Sequence, residues 1–219
     1  MRNIRTGDVR AIMGKPYMLN PNEELYEYKL GDDVENLLNN RQDKTQAITY
    51  KCPFNSAVQI FNYKEKTARI VFGPDFVMLN PDETFTVNVL SGGKPKVPGM
   101  IKTLHVGLGP DFTSDIIEVE TSDHARLQIL LAYNWHFRVN KDDEKEAQKI
   151  FSIQDFIGDM CTIMAAKIRS SVAGVSFENF HKRFAKLIRA SVFGLDENGK
   201  VNDEFVITKN NLVITNIDI

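Results

Sequence analysis

Alternation of apolar and polar residues is longest between Ala125 and Val139. Leu127, Ile129, Leu131, Tyr133, Trp135, Phe137 and Val139 hold the odd positions. Arg126, Gln128, Asn134, His136 and Arg138 stand among the even ones, where only Leu130 and Ala132 break the polarity. Side chains alternate faces along an extended chain, so the pattern predicts one strand with a core face and a wetter face. At about 3.3 Å per residue it would reach roughly 50 Å, two to three times an ordinary strand, and should organise a sheet. The only Trp of the chain lies on its core face.

Shorter alternations surround it. Val58 and Ile60, Ile70 and Phe72, and Phe85, Val87 and Val89 mark strands in the first half. Leu104–Leu108, Phe112–Thr121 and Leu212–Ile219 do so in the second. The period then changes. Ile153, Phe156, Ile157, Met160, Met164, Ile168 and Val172 share one helical face, opened by a capping box at Ser152 and ended by Gly174. Phe177, Phe180, Phe184, Leu187, Ile188 and Val192 form a second such face between Ser176 and Gly194. A shorter acidic helix is predicted from Lys141 to Ile150. Strands, then helices, then a strand imply an α+β domain with helices on one face of a mostly antiparallel sheet.

The first half repeats itself. Met18-Leu19-Asn20-Pro21-Asn22-Glu23 returns as Met78-Leu79-Asn80-Pro81-Asp82-Glu83, and Ile12-Met13-Gly14-Lys15-Pro16 returns loosely as Val71-Phe72-Gly73-Pro74. A fixed period points to an array of small antiparallel β modules, each dependent on neighbours. The first copy starts abruptly, so the chain is expected to begin partway through a longer series. Asn-Pro predicts a turn between strands, and Asp32 or Asp33 is a candidate cap for one helical turn. Ser91–Gly99, rich in Gly, Pro and Lys, has linker composition. Gly109-Pro110-Asp111-Phe112 copies Gly73-Pro74-Asp75-Phe76 and should likewise introduce a strand.

Composition narrows the class. The 219 residues are 42% hydrophobic and 26% charged, with net charge −2, as in an ordinary globular protein without bias toward nucleic acid or anionic membrane. Cys52 and Cys161 are too few for a disulfide framework and read as reduced core thiols. No signal peptide or membrane-spanning run is evident, so a soluble cytoplasmic protein is expected.

Candidate chemistry is sparse. His105, His124, His136 and His181 lack metal-site spacing, no serine sits in a nucleophile elbow, and no pattern asks for a metal or cofactor. Gly92-Gly93-Lys94 lacks the rest of a phosphate loop, and Gly107-Leu108-Gly109 lacks the third glycine of a dinucleotide fingerprint. Asp196-Glu197-Asn198-Gly199 is read as a turn, not a calcium loop. Glu118, Glu120 and Asp123 are read as a solvated strand edge that discourages aggregation. Lys167, Arg169, Lys182, Arg183, Lys186 and Arg189 face a single nearby acid, Glu178. They are either a solvated helix face or a basic surface that meets an acidic partner, a neighbouring copy included.

Val9-Arg10-Ala11-Ile12-Met13-Gly14-Lys15-Pro16-Tyr17-Met18-Leu19, Val71–Pro74 and Leu90–Lys96 resemble the major vault protein family. So above all does Glu120-Thr121-Ser122-Asp123-His124-Ala125-Arg126-Leu127 running into Tyr133-Asn134-Trp135-His136-Phe137. The likeness continues through Phe151-Ser152, Asp155–Asp159 and Ser191–Gly194. It implies β repeats of a particle wall over residues 1–98 and a shoulder domain over 99–219. The shoulder would be similar to the band 7 core of stomatins, prohibitins and flotillins. Family members carry further repeats before this region and a long cap helix after it, so the chain is expected to be a piece or a shortened relative.

A structural shell subunit of the vault ribonucleoprotein particle, not an enzyme, is therefore expected. It would self-associate into a ring in the cytoplasm, with the nucleus as a further location. The resemblance alone implies vault RNA, a telomerase-associated protein and a vault poly(ADP-ribose) polymerase as partners. Lateral contacts are expected at Arg126, Gln128, Asn134, His136 and Arg138 of the long strand and at Lys182, Arg183, Lys186 and Arg189. The alternative is a membrane-associated scaffold of the band 7 type.

Overall fold

The computed structural model describes residues 1–12, 14–38 and 43–219, so Met13 of the Val9–Leu19 motif lies outside the described residues. Two units emerge: Met1–Asn88 with Thr103–Gly107, and Val89–Lys102 with Leu108–Ile219.

In the first unit, β1 (Arg2–Asn3) pairs with β2 (Glu23–Glu24), and α1 (Asp32–Leu37) follows. Neither Asp32 nor Asp33 caps α1, because Gly31 is its N-cap and both acids lie in the first turn. There their charge still faces the positive end of the helix. Next come β3 (Thr49–Cys52), β4 (Ser56–Asn62), β5 (Thr67–Phe72), β6 (Asp75–Met78) and β7 (Glu83–Phe85). After β8 (Asn88–Gly92) and β9 (Val97–Thr103), the chain returns as β10 (His105–Gly107). One edge of β4 pairs with β5, while β10 and β7 share the other edge; β3 pairs separately with β6. All these pairings are antiparallel. Val58, Ile60, Val77, Leu79, Phe85 and Leu104 form the centre of the core.

The repeated sextet folds the same way twice. Glu23 N–H donates to the Asn20 carbonyl at 2.9 Å, and Glu83 N–H to the Asn80 carbonyl at 3.1 Å. Each glutamate turns back to accept its own asparagine's N–H, at 3.1 and 2.8 Å. Each is then gripped by an arginine, Arg10 for Glu23 and Arg69 for Glu83. The Asn-Pro pair makes the turn, and the glutamate three residues after the asparagine ties it shut.

The Gly-Pro-Asp-Phe pair also recurs structurally. Asp75 opens β6, and Asp111 opens β11 (Asp111–Glu120). In both copies the Asp carboxylate accepts the following Phe N–H, at 2.7 Å. Both glycines need to lack a side chain. A Cβ on Gly73 would overlap the Pro53 carbonyl, and one on Gly109, whose φ is +77°, would sit 2.7 Å from the Trp135 carbonyl oxygen.

The second unit is built on β11, β12 (Arg126–Phe137), β13 (Phe205–Ile207) and β14 (Leu212–Asp218), in the order β11-β12-β14-β13, antiparallel throughout. The long strand is shorter than its sequence pattern, yet its odd positions from Ile129 to Phe137 are buried as predicted. α2 (Glu144–Lys149) is capped by Asp143. Then α3 (Phe156–Ala173) packs on β11, and α4 (Phe177–Phe193) packs against α3. Trp135 meets Phe156 at a centroid distance of 5.2 Å and Phe137 at 6.0 Å, and its indole N–H donates to Thr113 Oγ1 at 3.0 Å.

Four local expectations change here. The stretch read as a linker is the β8–β9 hairpin: Gly93 and Pro95 serve its turn, Gly92, Pro98 and Gly99 lie in its strands, and turn and linker compositions overlap. Thr86 and Val87 separate β7 from β8, so the alternation from Phe85 to Val89 is not one strand. The cap of α3 is Asp155, not Ser152. Its carboxylate accepts the N–H groups of Gly158 and Ser91, each at 2.9 Å, and also the Ser91 hydroxyl. The apolar face of α4 is also broken. Phe180, Ile188 and Val192 are buried, but Phe177 and Phe184 are exposed, and Arg183 between them is non-helical (φ −138°, ψ 17°). Asp123, from the turn before β12, accepts the Phe177 N–H at 3.0 Å and so ties down the start of α4.

Candidate association surfaces

Helices cover the odd face of the second unit's sheet, leaving the even face outward. Along it Phe112 stands opposite Asn134, Ser114 opposite Ala132, Ile116 opposite Leu130, Glu118 opposite Gln128 and Glu120 opposite Arg126. The face is thus apolar in its middle and charged at one end. Phe112 is 66% exposed and Leu130 56% exposed. At the charged end Gln128 Nε2 donates to Glu118 at 3.0 Å, while Glu120 takes His124 Nδ1 at 2.9 Å and Arg126 Nε at 3.3 Å. Hydrogen bonding from His124, then from Arg126, holds the Glu120 carboxyl below its ordinary range. These pairs are exposed, and exposed pairs contribute little to folding.

Further along β12 the expected contact residues behave differently. Asn134 and His136 are half-buried, and the Asn134 carbonyl accepts the Thr215 hydroxyl at 3.4 Å. Arg138 forms a two-pronged pair with Glu204, at 2.9 and 2.6 Å, which fixes the loop before β13.

The basic residues of α4 make a third location. Lys182 pairs with Glu178 at 2.6 Å, and Arg183 projects at the kink. Lys186 and Arg189 line a groove of about 490 Å³ with Asn202, Asp203, Thr215 and Asn216. Arg189 also donates to the Ile217 carbonyl at 3.3 Å.

The nine expected contact residues therefore lie in three places of one unit. Beside them the structure places Leu130 and Phe112 on the outer face and Asn202, Thr215 and Asn216 in the groove. Leu130 had carried a signal, as a break in the polar alternation of β12. Glu118 and Glu120, read only as an edge, line an open cleft of about 720 Å³ with Arg126, Gln128 and Arg169.

Other reactive groups are quiet. Burial pushes the Cys161 thiol up to about 12 and raises that of Cys52, so both stay protonated. His105 is held by the Tyr50 hydroxyl at 2.8 Å, and burial lowers its pKa. Asp196 accepts the N–H groups of Asn198 and Lys200 at 2.9 and 2.8 Å, which makes the segment from Asp196 to Gly199 a turn. Among the described residues no cluster of His, Cys, Asp or Glu is arranged to hold a metal ion, and no helix is long and apolar enough to cross a membrane.

Comparison with known proteins tiles the chain with three family profiles. Residues 1–46 and 47–108 each match a Major Vault Protein repeat domain, and residues 109–219 match the shoulder domain. Major vault protein alpha of Dictyostelium discoideum is 54% identical across all of this chain. The major vault proteins of Strongylocentrotus purpuratus and Ictalurus punctatus are 52% and 48% identical, again across its whole length. The chain spans only 27–28% of the length of these relatives.

Proposed function

The chain belongs to the major vault protein family, and from that membership we propose that it is a structural segment of a vault particle shell, with copies standing side by side. The observation that carries this is the unbroken succession of two repeat modules and a shoulder module. Residues 1–98 would form wall and 99–219 shoulder, the latter of band 7-like design. Small antiparallel modules bury little surface alone and gain from neighbours, which suits a wall of repeated copies. The particle would reside in the cytoplasm and also in the nucleus. Vault RNA, the telomerase-associated protein and the poly(ADP-ribose) polymerase would be partners of the whole particle.

The test is a segment exchange. This chain replaces its counterpart in the Dictyostelium relative, and the purified product is imaged by negative stain. Closed shells are expected. A folded, soluble chimera that yields no shells, beside a parent that does, would overturn the proposal.

A further inference from the structure

We infer that the Lys186–Arg189 groove of one copy receives Glu118 and Glu120 of the next, so that the second units join head to tail. This rests on the shell proposal and names the surfaces that do the joining.

Charge is the first ground. From Asp111 to Asp123 the edge strand and its turn carry five acids and no Lys or Arg; Asp115 is buried, Asp111, Glu118, Glu120 and Asp123 are exposed, and Arg126 and Arg169 line the same cleft as the two glutamates. The α4 surface is the reverse. Arg183 and Lys186 are exposed and make no ion pair among the described residues, and Arg189 bonds only a backbone carbonyl. Asn202, Thr215 and Asn216 add neutral polar groups to the groove, and Asp203 is its one acid.

Geometry is the second. β11 is one edge of the sheet. Toward the other edge, β13 pairs only with Leu212–Ile214, and the groove opens beside Thr215 and Asn216. In register, Glu118 stands opposite Gln128 and Asn216 opposite Asn134. Those rows are separated by about 20 Å along the strand and by two strand spacings of about 4.8 Å across it. The acids and the groove of one copy therefore cannot meet each other. Different patches at opposite edges give a heterologous contact, which extends in a row and closes into a ring when the rotation allows.

Local pairing does not block this. The bonds to Glu118 and Glu120 come from exposed Gln128, His124 and Arg126 and are readily exchanged. Charge sets register and partner choice more than affinity. Apolar area is available beside both patches, from Ile116 and Leu130 on one side and from Phe184 and Ala185 on the other.

The experiment mixes two variants of this chain. Glu118→Lys with Glu120→Lys reverses the acidic side, and Arg183→Glu with Lys186→Glu reverses the basic side. All four positions are exposed, and circular dichroism verifies that each variant is folded. Sedimentation velocity at low salt should show the parent chain associating, and each variant alone associating at least tenfold more weakly. An equal mixture should associate again and grow as alternating copies, since the intact groove of the first variant meets the intact acids of the second and the two reversed patches also complement each other. Raising salt to half molar should dissociate them. A non-associating parent, variants that associate like the parent, or a mixture no different from its components would each overturn the inference. Shells formed by the segment-exchange chimera despite such a result would leave the shell proposal standing, so the two can fail separately.

Discussion

Among the described residues of the first unit no strand is longer than Ser56–Asn62, and several hold two to four residues. In the second, Asp111–Glu120 and Arg126–Phe137 pair along ten consecutive positions beneath an 18-residue helix. Short strands bury little apolar surface each, so the repeat unit draws on polar pins, of which Arg69–Glu83 is the most enclosed. The shoulder unit has a continuous apolar layer from Ile129 to Phe137 against α3, and its ion pairs stay on the surface. The difference separates two kinds of specification. In a repeat, turns fix the fold; in the shoulder, the period of a long strand does.

Mutations can break that contrast. Trp135→Ala removes the ring that joins Phe137, Phe156 and Thr113, and should cost about 3–5 kcal/mol. Hydrogen exchange should speed up across the second unit and leave β3–β7 protected. Glu83→Ala should act the other way round. Glu83 is 5% exposed and holds both Arg69 and the Asn80 N–H, so about 1–3 kcal/mol should be lost, with faster exchange confined to the first unit.

Acid should sharpen the same contrast. Burial lowers the His105 pKa, so below about 6.5 the unfolded chain binds a proton that the folded one resists. The stability this gives at neutral pH is lost as pH falls. Burial also opposes the charge of Glu83, but the bonds from Arg69 and Asn80 prevail and depress its pKa. Its contribution is present above the ordinary carboxylate range and lost below it. Exchange measured down a pH series should therefore show the first unit loosening before the second. His105→Gln should remove the earlier part of that decline.

Smaller effects complete the series. Asp155→Ala deletes the cap of α3 together with its hold on Ser91, for about 1 kcal/mol by chemical denaturation. Lys182→Ala removes an exposed pair one helical turn long and should change stability by less than about 0.5 kcal/mol.

How much of this was legible in the sequence follows the same division. The alternation in Arg126–Phe137 foretold its strand and its buried face, because a half-buried sheet imposes a period of two. The sextet repeat foretold a shared turn, although not that its glutamate would be tied by an arginine from outside the motif. The cap at Asp155 was missed because Ser152-x-x-Asp155 imitates a capping box, while the true partner, Ser91, is distant in sequence. Phe177 and Phe184 were misplaced because helical spacing says which residues share a face, not how far along the helix that face is covered. The proposed contact surfaces were the least legible part. Lys186 and Arg189 stood out as basic residues, but their groove is completed by Asn202, Thr215 and Asn216, which only the fold brings beside them.

Zero-length carbodiimide cross-linking of assembled segment-exchange particles, made from equal parts of light and heavy-nitrogen protein, tests the side-by-side joining most directly. Peptides carrying Lys186 coupled to Glu118 or Glu120 should appear with mixed isotope labels, showing that the bond runs between copies. Cross-links of these residues that carry one label only, or mixed-label cross-links confined to other surfaces, would contradict it.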